Sequence, residues 1–251
     1  MAMNNRLLRP LTAGFQSLRV GLVAYWPLNE TATSGDVTAE DWTGRGNDLA
    51  SNNSVLSVAG KVGNAREVVA ANSEYLGIAS NTDVQFGNGD WSFSLWVQPR
   101  ATGSATQCVV GKDSSGAREF GFFCETNTGT NANRFTVAVF NTSSGLSISL
   151  QEPSDTSNAN FVNTWFHLVA VNQGGVVTLY RNGVSRASAT RPSGQTFNAT
   201  ATEFNIGRRP FGVFSDYFDG YVDEVAKWTR DLSATEITRL YNNGNGIDLT
   251  R

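Results

Sequence analysis

The feature that most constrains this chain is the alternation of apolar and polar residues along short segments. In the clearest segment, apolar side chains recur at every second position, at Trp91, Phe93, Leu95 and Val97. Successive side chains of a strand point to opposite faces of a sheet, so this period indicates a half-buried β-strand. The segment 165–171 is apolar on both faces, as expected near the centre of a sandwich. Asn182-Gly183 separates two strand-like runs and predicts a tight β-hairpin.

Composition favours the same class. Hydrophobic residues make up 40% of the 251 residues, which is enough for a sizeable core. Charged residues are only 16%, against roughly 25% in an ordinary soluble domain. Gly, Asn, Ser and Thr replace them, and these residues favour turns and the solvent faces of strands. We therefore predict an all-β domain over residues 21–251, preceded by an N-terminal extended arm at residues 1–20 that lies outside the core.

One short helix is expected near the C-terminus. Ser233 and Glu236 have the spacing of a capping box. Ile237, Leu240 and Tyr241 then fall on one helical face, and Asn243-Gly244 provides a stop.

The charge pattern excludes several partners. The net charge is −3, and basic residues concentrate only at Arg6, Arg9 and Arg19, so nucleic acid is not expected to bind the folded body.

No apolar run reaches the roughly 18 residues of a spanning helix, and we expect no membrane insertion. Residues 1–20 lack the apolar middle of a secretory signal, so no classical signal peptide is expected.

The two cysteines, Cys108 and Cys124, fall in two predicted neighbouring strands. Their position allows either a hairpin disulfide or two buried free thiols. The second alternative is favoured, because no secretion signal marks an oxidising compartment.

Eight short motifs follow one another between residues 21 and 245. They are 21–30 (GLVAYWPLNE), 41–48 (DWTGRGND), 60–65 (GKVGNA), 92–97 (SFSLWV), 165–170 (WFHLVA), 179–183 (LYRNG), 218–225 (FDGYVDEV) and 232–237 (LSATEI). In this order they resemble the laminin-G-like, concanavalin A-like jelly-roll domains. The resemblance implies a two-sheet antiparallel jelly-roll β-sandwich. It implies less about function, since this fold carries sugar binding, adhesion, hydrolysis and plain structure.

The resemblance also implies a structural calcium ion that joins the early loop to the last long strand. The matching oxygen donors are Asp41, Asn47, Asp48 and Asp223, and hard oxygen ligands suit Ca²⁺. The alternative is that Asp41 and Asn47 bond to the backbone of their own loop, as these residues do in turns.

Catalytic residues are not expected. The glycoside hydrolases of this fold carry a Glu-x-Asp-x-x-Glu pattern, which is absent here. The nearest acidic cluster is Asp219, Asp223 and Glu224. His167, the only histidine, lies in an apolar strand and is expected to be a core residue with a backbone or hydroxyl partner.

Aromatic and basic residues suggest a ligand platform. Trp96 lies on the opposite face of its strand from Trp91, and a second group crowds the turn-rich stretch after Gly207. The candidate ligand-binding residues are Trp96, Arg208, Arg209, Phe211, Phe214 and Tyr217. The alternative is that this stretch folds back and caps the end of the sandwich.

The N-terminal arm resembles the short leaders of phage virion proteins and is basic and proline-containing. Its candidate assembly residues are Arg6, Leu7, Leu8, Arg9, Pro10 and Phe15. A disordered terminus is the alternative.

We therefore predict a non-catalytic binding or structural module on a phage-like virion surface, serving decoration or adhesion. Its expected partners are other virion proteins, through the arm, and a surface glycan, and it is expected to be an oligomer or part of an array. The alternatives are a free, extracellular or cell-surface, lectin-like carbohydrate-binding module and a glycan-active enzyme of the same fold.

Overall fold

The computed structural model describes residues 13–100, 106–126, 133–154, 161–211 and 214–250, without the side chains of 13–15, 211, 214 and 215. These ranges contain two α-helices, α1 (Ala13–Arg19) and α2 (Ala234–Tyr241). Their strands are β1 (Leu22–Trp26), β2 (Ala50–Asn52), β3 (Ser57–Ala59), β4 (Asn64–Val68), β5 (Tyr75–Ile78), β6 (Trp91–Pro99), β7 (Gln107–Ser114), β8 (Ala117–Glu125), β9 (Arg134–Phe140), β10 (Leu146–Gln151), β11 (Phe166–Gln173), β12 (Val176–Arg181), β13 (Val184–Thr190), β14 (Phe204–Ile206), β15 (Arg208–Phe211), β16 (Phe214–Tyr217) and β17 (Gly220–Trp228).

The strands form two stacked antiparallel sheets. The eight-stranded sheet has the order β13-β12-β11-β6-β17-β4-β3, with β1 added beside β17. The seven-stranded sheet has the order β10-β9-β8-β7-β14-β5-β2. A separate two-stranded hairpin consists of β15 and β16. The predicted all-β, two-sheet antiparallel jelly-roll sandwich is confirmed.

The main core lies between the two sheets. The alternating residues of β6 that start at Trp91 and Phe93 all point into it, as their period predicts. Aromatic rings join the layers: Trp26 stacks on Phe204 with ring centroids 5.5 Å apart, and Phe93 lies edge-on to the same Phe204 ring. Apolar burial of this extent is the main force that holds such a sandwich together.

The hairpin predicted at Asn182-Gly183 joins β12 to β13. Both turn residues have positive φ, 54° at Asn182 and 79° at Gly183. Asn and Gly tolerate this left-handed conformation, and the resulting turn matches the twist of the two strands.

A second apolar cluster covers the outer face of the eight-stranded sheet. Its residues include Tyr25, Val169 and Trp228 of the sheet and Ile237 and Leu240 of α2. The predicted capping box is present, because the Ser233 side chain accepts from the Glu236 backbone and the Glu236 side chain accepts from that of Ser233. Within the described ranges, no helix is long and apolar enough to cross a membrane.

The N-terminal segment departs from the predicted arm. Residues 13–19 form α1, and Leu18 is fully buried in the second cluster. The indole of Trp228 donates to the Leu18 carbonyl at 2.7 Å, and Arg230 donates to the carbonyls of Ser17 and Val20 at 2.7 Å each. The boundary drawn at residue 20 is therefore corrected: α1 belongs to the domain. The pattern missed it because a single buried leucine in a seven-residue helix gives no periodic signal.

The cysteines are both free and buried. Cys108 of β7 lies opposite Phe123, while Cys124 of β8 lies opposite Gln107. Cys124 points into the main core, and Cys108 points to the outer face of the seven-stranded sheet. Because the two thiols lie on opposite faces of the sheet, they cannot form the hairpin disulfide. The structure has the alternative of two buried free thiols.

Candidate functional site

A groove of about 270 Å³ opens on the outer face of the seven-stranded sheet. It crosses β8, β9 and β10 and ends against the β15–β16 hairpin. Its lining residues are Thr106, Arg118, Phe123, Glu125, Thr136, Ala138, Phe140, Leu146, Ser149, Gln151, Arg209 and Asp216. Its volume lies just below the range of ~300–1,000 Å³ common for small-molecule sites.

A row of small residues crosses the sheet at the groove. Gly111 of β7 pairs with Gly121 of β8, Gly121 with Ala138 of β9, and Ala138 with Ser149 of β10. Neighbours in register lie side by side on one face, so four successive strands carry almost no side chain here. The Phe123 ring lies over Gly121, since a Cβ atom there would come within 2.4 Å of that ring. Ala138 and Ser149, at the other end of the row, line the groove.

Two phenyl rings flank the groove, and an arginine covers each of them. The guanidinium of Arg118 lies 3.8 Å from the Phe140 ring centroid, and that of Arg209 lies 5.4 Å from the Phe123 centroid. Both rings are almost fully buried. A guanidinium stacked in this way keeps its N–H edge available for hydrogen bonds.

One buried carboxylate links these arginines. Asp113 is fully buried and accepts two hydrogen bonds from Arg118, from Nε at 2.7 Å and from Nη2 at 3.0 Å. Arg209 Nη1 lies 3.6 Å from Oδ2 of the same carboxylate, the oxygen that accepts from Arg118 Nη2, and Arg209 also pairs with Asp216. Charge-assisted, bidentate pairs of this kind fix the guanidinium planes before any ligand arrives.

The β15–β16 hairpin forms one wall of the groove. It lies directly on β7, since a Cβ atom on Gly111 would come within 2.5 Å of the Arg208 carbonyl oxygen. Beneath it, burial raises the pKa of the Cys108 thiol well above its usual value, so this sulfur stays protonated at neutral pH.

The predicted platform residues of this hairpin have different positions. Arg209 lines the groove. Arg208 instead stacks on Tyr75 at 3.4 Å and pairs with Glu203 at 2.9 Å. Tyr217 is half-buried and pairs with Arg208 across the hairpin, away from the groove lining. The side chains of Phe211 and Phe214 lie outside the described residues.

Trp96 is corrected as a ligand-binding residue. It lies on the outer face of the eight-stranded sheet, is only 2% exposed, and stacks on Tyr241 with ring centroids 5.9 Å apart. Its strand position was predicted well, but α2 and the C-terminal residues cover that face. A ligand therefore cannot stack on this indole.

The predicted calcium donors bond to several different groups of the protein. Asp41 accepts the backbone N–H groups of Tyr25, Thr43 and Asn47 at 3.0–3.1 Å, so its carboxylate staples its own loop. Asp48 accepts from the Asp41 N–H at 2.7 Å. Asp223 accepts from the backbone N–H groups of Lys61 and Val62 instead.

Among the described residues, no three His, Cys, Asp or Glu side chains are grouped so as to hold a metal ion. Asp41 matches the alternative of a residue that bonds to the backbone of its own loop, whereas the Asn47 side chain bonds outside that loop, donating to the Val23 carbonyl at 3.0 Å and to Asp83 at 3.2 Å. Calcium binding by this chain stays a prediction.

The acidic cluster near the last strand is dispersed over separate partners. Asp219 pairs with Arg100 at 2.7 Å, and Glu224 accepts from the Tyr25 hydroxyl. Asp223 contacts only backbone donors in the bonds described above, and burial raises its pKa to about 7. These carboxylates serve the sandwich and do not converge on a common surface.

His167 has the hydroxyl partner expected of a core histidine. Its Nε2 lies 2.9 Å from Ser94 Oγ, and burial lowers its pKa to about 3, so the ring is neutral. The cavity beside this pair, also lined by Glu224, measures only about 10 Å³. That volume is on the order of one water, so a substrate cannot reach the serine.

Sequence reasoning missed Arg118, Phe123 and Phe140. A register shift between Lys112 and Asp113 places Arg118 on the groove face and turns the neighbouring Glu119 inward, where it accepts from the Phe86 backbone. A bulge of this kind interrupts the period of two from which the sheet face of each side chain is inferred. The available signal was the alternation of Gly121, Phe123 and Glu125.

A family model described as the Concanavalin A-like lectin/glucanases superfamily matches residues 71–238. No curated protein sequence matches the chain.

Solved structures with the same fold are numerous. The binding domain of Paraclostridial Mosquitocidal Protein 1 superposes with a TM-score of 0.72 at 15% identity, over 90% of this chain and 53% of that one. Domain 4 of AbnA, a GH43 extracellular arabinanase from Geobacillus stearothermophilus, in complex with arabinotriose, has a TM-score of 0.60 at 19% identity, over 87% and 97% of the two chains.

The ligand-binding domain of Botulinum neurotoxin serotype D, in complex with N-acetylneuraminic acid, has a TM-score of 0.66 at 10% identity, over 92% of this chain and 52% of that one. This chain thus spans about half the length of the two toxin domains. At these identities, the likeness concerns the fold.

Proposed function

The chain belongs to the concanavalin A-like lectin/glucanases superfamily, and from that membership we propose that it is a non-catalytic module that binds a glycan. The proposed site is the groove on the outer face of the seven-stranded sheet. The observation that carries the proposal is the pair of arginines, Arg118 and Arg209, held by Asp113 and Asp216 at the lining of the groove.

The chemistry of this groove suits a sugar. Sugar hydroxyls both donate and accept hydrogen bonds, and the lining offers guanidinium donors, the carboxylate acceptors of Glu125 and Asp216, and the amide of Gln151. The small side chains of Ala138 and Ser149 line the groove and leave room beside the Phe123 ring. Because ion pairs already hold the arginines in place, binding a sugar would cost little further side-chain conformational entropy.

The lining does not favour hydrolysis. A glycosidase needs one carboxyl group that keeps its proton and a second that acts as nucleophile or base. The two carboxylates that line the groove each contact an arginine: Glu125 lies 2.7 Å from Arg134, and Asp216 pairs with Arg209. A surrounding that keeps a general acid protonated is apolar or acidic, unlike this one.

The comparisons support a binding role through the proteins they name. Two of the similar structures are binding domains of toxins, and one is an arabinanase domain in complex with arabinotriose. Carrying glycan binding over to this chain is our proposal, since the shared feature is the fold.

A glycan array tests the proposal. We expect wild-type protein to bind at least one oligosaccharide, and Arg209→Ala to lower that binding by about tenfold or more, the equivalent of one charge-assisted hydrogen bond. The matched control is Arg45→Ala, which removes an arginine that pairs with Asp83 at 2.7 Å outside the groove. Equal loss in both variants, or no bound glycan, would refute the groove as a glycan site.

Display on a phage-like particle is a second proposal, and the position of α1 favours it. The guanidinium of Arg19 donates to the Leu249 carbonyl at 3.1 Å, so the first and last described segments meet on the outer face of the eight-stranded sheet. The groove lies on the opposite side of the sandwich. An arm that precedes α1 would therefore hold the domain with the groove facing away from its support.

Residues 6–10, on which this second proposal depends, lie outside the described residues. Mass spectrometry of purified particles and of soluble and secreted fractions from the producing culture tests it. Stoichiometric recovery with particles, lost when residues 1–12 are deleted, is the expected result. Recovery only as free protein would leave the lectin-like alternative.

A further inference from the structure

We infer that the groove selects uncharged oligosaccharides over those that carry a carboxylate. The inference rests on the proposed function and adds the class of glycan to it. It starts from the charges that face the groove. Four charged side chains line it, Arg118, Glu125, Arg209 and Asp216. Asp113 pairs with Arg118, and Arg134 pairs with Glu125.

These charges balance. The groove and its immediate supports contain the three arginines Arg118, Arg134 and Arg209 and the three carboxylates Asp113, Glu125 and Asp216. The stretches 101–105 and 127–132, which adjoin Thr106 and Glu125 in sequence, contain no charged residue. A site that attracts anions has a surplus of positive charge, and the described residues of this groove have none.

The positive charge of Arg118 is also held by a partner that a ligand cannot easily replace. Asp113 is fully buried and takes both of its hydrogen bonds from Arg118. If a ligand carboxylate drew Arg118 away, the Asp113 carboxylate would remain buried without that partner, which is a large cost. A ligand carboxylate that left the pairs intact would lose its water and meet no uncompensated cation.

A sugar hydroxyl faces neither difficulty. It can accept from an N–H of Arg209 and donate to an oxygen of Asp216 without breaking the pair that they form. Paired groups of opposite charge therefore present donors and acceptors side by side, as a neutral polyol requires. Rejection of anions and acceptance of hydroxyls follow from the same geometry.

Asp216 is the residue that sets this balance at the rim. Its side chain is 27% exposed, whereas Asp113 is buried. Removing the charge of Asp216 would take away the carboxylate that pairs with Arg209 at the rim, while Asp113 would stay 3.6 Å from the guanidinium. The groove would then carry one surplus positive charge within reach of a ligand.

The test compares arabinotriose, lactose and 3′-sialyllactose on an array and by titration calorimetry. Wild-type protein is expected to bind an uncharged sugar at least about tenfold more tightly than its sialylated counterpart. Asp216→Asn is expected to shift that ratio by about tenfold toward the sialylated sugar. The control Asp83→Asn, which alters the partner of Arg45 outside the groove, is expected to leave the ratio unchanged.

Salt dependence gives a second readout that needs no variant. The affinity for an uncharged sugar is expected to stay constant as ionic strength rises, because no net charge is neutralised on binding.

Preference of the wild type for the sialylated sugar, or an unchanged ratio in Asp216→Asn, would overturn the inference while glycan binding stands. Binding of no glycan at all would refute the proposed function and the inference with it.

Discussion

Gly111 of β7 lies directly opposite Gly121 of β8, and the hairpin that walls the groove rests on the first of this pair. A Cβ atom at position 111 would come within 2.5 Å of the Arg208 carbonyl oxygen and 3.1 Å of the Arg209 Cα. Both of these are backbone atoms, which cannot rotate away as the end of a side chain can. Gly111 therefore fixes where Arg209 stands.

Gly111→Ala should displace the β15–β16 hairpin and weaken glycan binding by about tenfold or more, at a stability cost of about 1–3 kcal/mol from overpacking. Gly89→Ala is the matched control, because nothing lies within 4 Å of a Cβ there. Binding and urea denaturation would be measured on both. An unaffected Gly111→Ala would mean that the hairpin does not depend on this contact.

Leu18 tests whether α1 is part of the domain. Leu18→Ala removes a fully buried side chain and should lower the free energy of unfolding by about 2–5 kcal/mol. Val20→Ala, two residues further, removes a side chain that is 63% exposed and should change it by less than about 0.5 kcal/mol. Chemical denaturation measures both free energies. If the two variants show similar, small changes, residues 13–20 belong to the arm and not to the domain.

Lys227 gives the chain a specific pH dependence. The lysine is almost fully buried beside the Phe86 ring, and burial lowers the pKa of its amine to about 8 from the usual 10.5. Between these two values the unfolded chain holds a proton that the folded protein has released. Stability contributed by this group therefore rises with pH across that window, by about 1.4 kcal/mol per unit, and is constant below it.

The measurement is the difference in unfolding free energy between wild type and Lys227→Met, taken in urea at several pH values from neutral to about 10. The variant should be at least as stable as wild type at pH 7, since methionine buries the same stem without a charge. Its advantage should shrink as the pH passes about 8. An advantage that does not change with pH would show that the amine titrates normally.

Asp41 distinguishes a loop staple from a calcium ligand. Asp41→Asn replaces one acceptor oxygen with a donor that faces backbone N–H groups, and should lower the unfolding free energy by about 1–3 kcal/mol. If Asp41 holds only its own loop, the substitution should lower the unfolding free energy by the same amount in chelator and in calcium.

Asp48→Asn is the companion variant, because exposed Asp48 accepts a backbone bond only from Asp41, and its effect should be smaller. A stabilisation of wild type by calcium that both variants lose would establish the predicted ion at this loop. Thermal unfolding in the two buffers provides the comparison.

Several local features were predictable because they depend on residues a few positions apart. The inward face of β6, the Asn182-Gly183 turn and the Ser233–Glu236 capping box each follow from the period of a strand or the preferences of a turn or cap. The two-sheet sandwich was implied by the resemblance of eight motifs, in order, to the concanavalin A-like jelly-roll domains. Arg209 was named as a candidate because aromatic and basic residues crowd the stretch after Gly207; it lies in the groove lining, and its role in binding stays a prediction.

The sequence by itself thus determined the strands, the turns and the capped helix. Tertiary structure decided which side of each sheet is open: α2 and the C-terminal residues cover Trp96, while Ala138 and Ser149 line a groove on the outer face of the other sheet. It also brought Asp113 to Arg209, which are far apart in the chain. Such placements follow from how distant strands pair and where a bulge shifts the register, and the free energy that selects them comes from burial across the whole sandwich rather than from local preference.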